Sequence, residues 1–207
     1  TLARAQLRWP GLSPCRADMR VIAGRARGRP IASPKGRLTR PTSDRVRESL
    51  FAIIGERVNA SKVLDLFAGS GSLGIEALSR GAALCIFVER DRGACRVITD
   101  NLKTLDMQQQ AAVVCGDAIA AVGKARGAVL EHAPYDLVFA DPPYALEIAE
   151  LLMSRIDTPR LLAGDGLLVV EHTLRTDWPI RLGDLERIRQ ERYGDSRISF
   201  YHFAVEG

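Results

Sequence analysis

The sequence predicts an α/β fold: a Rossmann-like, mostly parallel sheet with helices on both faces, preceded by a small hairpin-and-helix extension. Three observations predict it. From residue 62 onward, short apolar runs alternate with segments of helical period. The runs, such as Lys62-Val-Leu-Asp-Leu-Phe67 and Gly166-Leu-Leu-Val-Val170, are almost continuously apolar, as strands covered on both faces must be. The first run also ends in a glycine-rich turn at the head of a helix, the place where such sheets hold ligands.

The elements follow in order. Residues 1–18 contain Pro10, Gly11, Ser13 and Pro14 without periodicity and read as a flexible extension or an over-long start. Arg20 to Gly24 and Arg29 to Ala32 are short apolar runs around a Gly/Arg turn, a small hairpin edged with arginines. A loop over 33–41 leads to a helix over 44–57, where Asp44 is among the candidate caps and Val46, Leu50, Ile53 and Ile54 recur at helical spacing. Strands are expected at 62–67, 83–89, 111–115, 135–140 and 166–171, and helices at 71–80, 91–105, 117–125 and 145–155. Gly81 stands where a glycine ends the first of these helices. Leu185-Glu-Arg-Ile-Arg and Ile198-Ser-Phe-Tyr-His-Phe alternate around Gly194-Asp195 and predict an antiparallel hairpin at the sheet edge. The organisation is thus an extension (1–18), a basic hairpin-and-helix segment (19–58) and a sheet domain (59–207).

With 207 residues, 46% apolar and 26% charged, the composition excludes a mostly disordered or collagen-like chain. The net charge of +4 hides an asymmetry. Residues 1–50 carry twelve basic and three acidic residues, a local +9, which leaves −5 for the remainder. A basic arm on an acidic body is a signature of polyanion binding, and a solvated tail would look the same by charge alone. Twenty-five of the 29 basic residues are arginine, which suits bidentate phosphate contacts. Cys15, Cys85, Cys95 and Cys115 are far apart, and His132, His172 and His202 show no ligand spacing, so neither a metal nor a disulfide framework is expected. Three of the cysteines lie in apolar stretches and read as small core residues. No apolar run approaches membrane-spanning length, and the basic N-terminus lacks the apolar core of a secretory signal. The reading is a cytoplasmic protein, a monomer, without a membrane partner.

The glycine turn carries the first chemistry. Gly69, Gly71 and Gly74 match G-x-G-x-x-G between a strand and a helix, and Glu89 follows 20 residues after Gly69 at the end of the next strand. Glycines admit a ligand to backbone N–H groups, and a carboxylate at that spacing can grip ribose hydroxyls. A nicotinamide dinucleotide fits this much. Asp65 weighs against it, because a carboxylate at that strand end opposes a pyrophosphate and suits a cationic, amino-acid-bearing ligand without phosphate. S-adenosylmethionine is such a ligand.

Tyr135-Asp-Leu-Val-Phe-Ala140 then runs into Asp141-Pro142-Pro143-Tyr144. Two prolines end the strand and stiffen its exit, on the ligand side of an open sheet. An exocyclic amine on a nucleobase is a poor nucleophile, because its lone pair is delocalised into the ring. The Asp141 carboxylate and the Pro142 carbonyl can each accept one of its N–H bonds, and Tyr144 offers a face for an unstacked base. Catalysis would then be mostly positioning.

Together these segments resemble the class I S-adenosylmethionine-dependent methyltransferases that carry an (Asp/Asn)-Pro-Pro-(Tyr/Phe) motif. Asp65-Leu-Phe-Ala-Gly-Ser-Gly71 is similar to that family's cofactor loop, Glu89 to its ribose acid and Gly116-Asp-Ala118 to its adenine-flanking segment. Arg40-Pro-Thr-Ser-Asp-Arg-Val-Arg-Glu-Ser-Leu-Phe51, Gly74-Ile-Glu-Ala-Leu-Ser-Arg-Gly81 and Tyr193-Gly-Asp-Ser196 bring the resemblance to the bacterial RsmD-type enzymes, over residues 19–205. The resemblance implies a seven-stranded sheet whose last strand is antiparallel to the rest. It implies S-adenosylmethionine as cofactor, held by Asp65, Phe67, Ala68, Gly69, Ser70 and Gly71 on one loop and by Glu89, Arg90, Asp117 and Ala118 beyond it. It implies transfer to guanine N2 of small-subunit (16S) ribosomal RNA, with Asp141, Pro142, Pro143 and Tyr144 at the reacting base. The partner would be ribosomal RNA or the small subunit. Arg20 to Arg47, with Arg25, Arg27 and Arg29 among them, would form an RNA-facing lobe beside the mouth of the site, with Arg40, Thr42, Asp44, Arg45 and Glu48 nearest the base or its flanking phosphates. Alternatives remain open: an adenine-N6 enzyme acting on DNA, a protein-glutamine methyltransferase, a nicotinamide-dependent dehydrogenase, or a non-catalytic RNA-binding module.

Overall fold

Alternation along the strands builds the molecule. In the computed structural model, which describes residues 19–34, 44–123, 127–142, 161–175 and 178–204, parallel strands β3 (Lys62–Leu66), β4 (Leu84–Glu89), β5 (Ala111–Cys115), β6 (Tyr135–Ala140) and β7 (Leu162–Thr173) form the centre. The expected helix over 145–155, and Arg40, Thr42, Pro143 and Tyr144, lie outside the described residues.

The sheet order is β5-β4-β3-β6-β7-β10-β9-β8, with β8 (Arg181–Leu182), β9 (Leu185–Tyr193) and β10 (Ser196–Phe203) completing one edge. β10 is antiparallel to both β7 and β9, and the Gly194-Asp195 turn joins the last two strands as expected. The resemblance implied seven strands, and the described residues add an eighth, the two-residue β8, too short to leave a periodic signal. β7 begins at Leu162, four residues before the expected strand, because its first residues pair with Tyr135 through a register shift.

Every strand shows one set of side chains to each face. Val63, Cys85, Phe87, Leu137, Phe139, Val169 and Phe200 point to the face covered by α1 (Asp44–Ile54), α2 (Ser72–Ser79) and α3 (Arg92–Thr104). Leu64, Leu66, Ile86, Val88, Val138 and Val170 point to the other, where α4 (Ala118–Gly123) and the single turn α5 (Ala128–Glu131) pack. All of these strand residues are buried, the condition under which near-continuous apolar runs are expected.

The hairpin β1 (Met19–Arg20) and β2 (Pro30–Ile31) and the helix α1 belong to the first layer. Met19, Val21, Ile31, Leu50, Phe51, Ile54 and Val58 join its core, and Phe51 meets Phe139 edge to face with ring centroids 5.8 Å apart. Glu76, fully buried on α2, is the anchor. Its oxygens accept the backbone N–H groups of Ile22 and Ala23 at 2.8 and 3.0 Å and the Arg80 guanidinium at 2.7 Å. Arg47, equally buried, bonds the Arg20 carbonyl at 2.6 Å and Asp44 at 2.9 Å, which ties α1 to the hairpin. Among the described residues no helix is long and apolar enough to cross a membrane.

Candidate active site

Parallel strands bring their carboxyl ends to one edge. Leu66, Val88, Ala140 and Val170 align in the register of β4-β3-β6-β7, so the residues just before or after them form a single row. That row contains Asp65, Glu89, Asp141 and Glu171.

Asp65 is buried and faces α2, where its carboxylate accepts the Gly74 N–H at 3.0 Å. Burial pushes its pKa up to about 8 against this hydrogen bond, and the charges of Asp141 and Glu89 push the same way. Glu89 is buried at the end of β4. One oxygen accepts the Gly69 N–H at 2.9 Å and the other the Asp91 N–H at 2.8 Å, so Glu89 pins the glycine loop to the next strand.

The loop between them is geometrically demanding. Phe67 has φ 59°, a left-handed backbone that a bulky residue adopts only under strain, and such strain concentrates at ligand sites. Gly71 has φ 77° and precedes the first residue of α2. Gly74 serves another need: a Cβ there would lie 2.3 Å from the Phe87 ring and 2.6 Å from Cys85 Sγ, so only glycine lets α2 approach the sheet. Ala68, Gly69 and Ser70 are half-buried along the turn, and the Ser70 carbonyl accepts from Asn101 at 3.2 Å.

Asp141 follows β6 and remains open to solvent, whereas Pro142 beside it is buried. The carboxyl nonetheless lies recessed among protein atoms. Desolvation first, and then the charge of Glu171, raise its pKa to about 7. Asp117 is exposed and caps α4 by accepting the Ala120 N–H at 2.8 Å, while Ala118 is buried; Arg90 is exposed. The row of strand ends therefore brings together Asp65, the glycine loop, Glu89 and Asp141.

The basic segment divides. α1 starts with exposed Asp44, Arg45 and Glu48 and ends near the start of β7, where Arg57 bonds the Asp165 carbonyl at 3.0 Å. Its first turn thus lies toward the strand ends that carry Asp141. Arg25, Arg27 and Arg29 do not join them, contrary to the expectation. The Arg25 guanidinium bonds Gln110, just before β5 begins, and Arg29 bonds the Thr104 carbonyl at the end of α3 and pairs with Asp106 at 3.6 Å. Arg27 lies exposed in the same turn. These partners are at the opposite end of the sheet, a helix length of about 20 Å from the glycine loop. A hairpin running down α2 and back up α3 places its turn there.

Other residues gave weaker signals. Glu76 is a lone charge in an apolar helix, a sequence sign of a buried polar role. Buried His172 lies 2.9 Å from Ser199 Oγ and against the Trp178 ring, and Glu171 precedes it. Of the cysteines read as core, Cys85 and Cys95 are buried, but Cys115 is exposed because it ends β5 at the open edge, 2.7 Å from Cys95 Sγ.

Known proteins resemble this chain over most of its length. The family described as Conserved hypothetical protein 95 matches residues 19–202. YlbH of Bacillus subtilis, provisionally named an rRNA methyltransferase, is 42% identical over 183 residues, covering 88% of this chain and 98% of that protein. The Ribosomal RNA small subunit methyltransferase D of Escherichia coli is 32% identical over 190 residues, 92% of each chain. A solved structure from Escherichia coli, yhhF, provisionally named a methyltransferase, superposes with a TM-score of 0.80 at 32% identity, covering 91% of this chain and 99% of that one. The chain belongs to the Conserved hypothetical protein 95 family, the RsmD-type class I methyltransferases.

Proposed function

We propose that the protein transfers a methyl group from S-adenosylmethionine to the exocyclic N2 amine of a guanine in small-subunit (16S) ribosomal RNA. One observation carries this reading: three acids, Asp65, Glu89 and Asp141, stand together on the ligand edge of the sheet, where the charges of Asp141 and Glu89 add to the burial that raises the pKa of Asp65. Such a cluster fits a cationic ligand without phosphate and opposes a pyrophosphate. S-adenosylmethionine, when bound, supplies an electrophilic methyl group on a sulfonium centre. Asp65 and the loop from Phe67 to Gly71 would hold its amino-acid part, Glu89 and Arg90 its ribose, and Asp117 and Ala118 would flank its base. The names of the relatives support ribosomal RNA as the class of substrate.

The remaining work falls to the chain. The Asp141 carboxylate and the Pro142 carbonyl would accept the two N2 hydrogens and turn the lone pair toward the methyl group. Proline fixes the Pro142 backbone, so little reorganisation is needed. Asp141 need not be a strong base, since the amine becomes acidic only as it is alkylated. A pKa near neutrality then lets the same carboxylate take up the released proton. Pro143 and Tyr144 would complete the turn and stack the base, and Asp44, Arg45 and Glu48, with Arg40 and Thr42, would flank the incoming strand.

Calorimetry tests the cofactor: S-adenosylhomocysteine should bind and NAD should not, and the reverse would overturn the reading. Asp141→Ala should lower methyl transfer by about 100-fold or more while S-adenosylhomocysteine binding is retained. Undiminished transfer would remove Asp141 from the mechanism.

A further inference from the structure

The same edge carries a carboxylate that the proposed transfer does not use. Ala140 and Val170 are neighbours in the parallel pairing of β6 and β7, and both face the α4 side of the sheet. By strand alternation the next residues, Asp141 just beyond β6 and Glu171 near the end of β7, lie on the α1 side. Neighbouring strands are about 4.8 Å apart. Glu171 is still paired with Ile198 of β10, which fixes its backbone, and its side chain is half-buried. Its charge contributes to the raised pKa of Asp141, as expected of two carboxyls that share one recess.

When both are ionised, two adjacent carboxylates form an acceptor-only surface. The Watson–Crick edge of guanine offers it two adjacent donors, N1–H and the N2 amine. Adenine offers one amine beside a lone pair on N1, which a carboxylate repels. A flipped base is read on this edge.

We propose that Glu171 accepts the N1–H of the target guanine while Asp141 accepts from its N2 amine, so that Glu171 is the residue that selects guanine. The proposal rests on the guanine-N2 reading above. A site built around a ligand N–H rejects the analogue that lacks it, because its own buried group is left unpaired.

The test uses 2-aminopurine, which keeps the 2-amine but has a lone pair at N1. It replaces, in small-subunit ribosomal RNA, the guanine that the wild-type protein methylates. Wild type should favour guanine by about 100-fold or more in kcat/KM. Glu171→Gln, whose amide can donate to that lone pair, should lose activity on guanine and gain on 2-aminopurine, narrowing the ratio to below about tenfold. A purely structural role would lower both substrates alike, and an unchanged ratio in a variant that still binds S-adenosylhomocysteine overturns the proposal. Should that variant fail to fold, the wild-type ratio decides, since a value near unity contradicts the proposal. Label found anywhere other than guanine N2 refutes the guanine-N2 reading itself, a distinct result.

Discussion

Asp65 shows what a single residue discloses at each level. In the sequence it is a charge inside an apolar strand, and that anomaly points to a ligand. The structure adds the Gly74 N–H that holds it and the burial that makes its ionisation costly. An unfolded aspartate ionises near pH 4. The folded group does so at about 8, so between these values the native state holds the extra proton. Stability from this group is therefore lost as pH rises from about 4 to 8. Asp65→Asn should flatten the fall in Tm across this range, with its advantage over wild type growing toward pH 8, and should weaken S-adenosylhomocysteine binding. Thermal scans at several pH values that run parallel for the two proteins would contradict this assignment. The left-handed Phe67, by contrast, was legible only as a member of a loop, since no sequence pattern announces strain in a non-glycine residue.

At the scale of elements, the hairpin was legible and its location was not. Its short apolar runs and Gly/Arg turn are plain in the sequence, but which end of the sheet receives the turn depends on Glu76 and Ser79 of α2, more than fifty residues away. Ser79 accepts the Arg25 N–H at 2.8 Å and its Oγ the Ala26 N–H at 3.0 Å. Glu76→Ala should leave two backbone N–H groups and Arg80 without their acceptor, and cost about 3–5 kcal/mol in urea unfolding. A loss below about 1 kcal/mol, the range of an exposed ion pair, would show that the hairpin is held by apolar packing alone. The arginines follow the same division. Arg45→Ala on α1 should reduce the salt slope of RNA binding by about one unit, whereas replacing Arg25, Arg27 and Arg29 together should leave it unchanged. A loss of about two units or more in the triple variant would mean that RNA extends to the far end of the sheet.

For the molecule as a whole, the parallel centre was legible because burial on both faces forces a composition that little else produces. Short pieces escaped: β8 spans two residues and α5 one turn, too little for any period to register. The candidate site was legible where chemistry departs from packing, at Asp65, Glu89 and Asp141. It was less so at Glu171, which reads as an ordinary end of a strand until the register of β6 and β7 sets it beside Asp141. The charge asymmetry is also divided, since Arg25 and Arg29 bond the protein's own surface and, among the described residues of the arm, the start of α1 lies toward the acid row. This edge is where a base would be read and methylated. The decisive measurement is transfer of labelled methyl from S-adenosylmethionine to undermethylated small-subunit RNA and to intact small subunits, followed by nucleoside analysis. The label should appear in N2-methylguanosine; label in methyladenosine or in protein would contradict it.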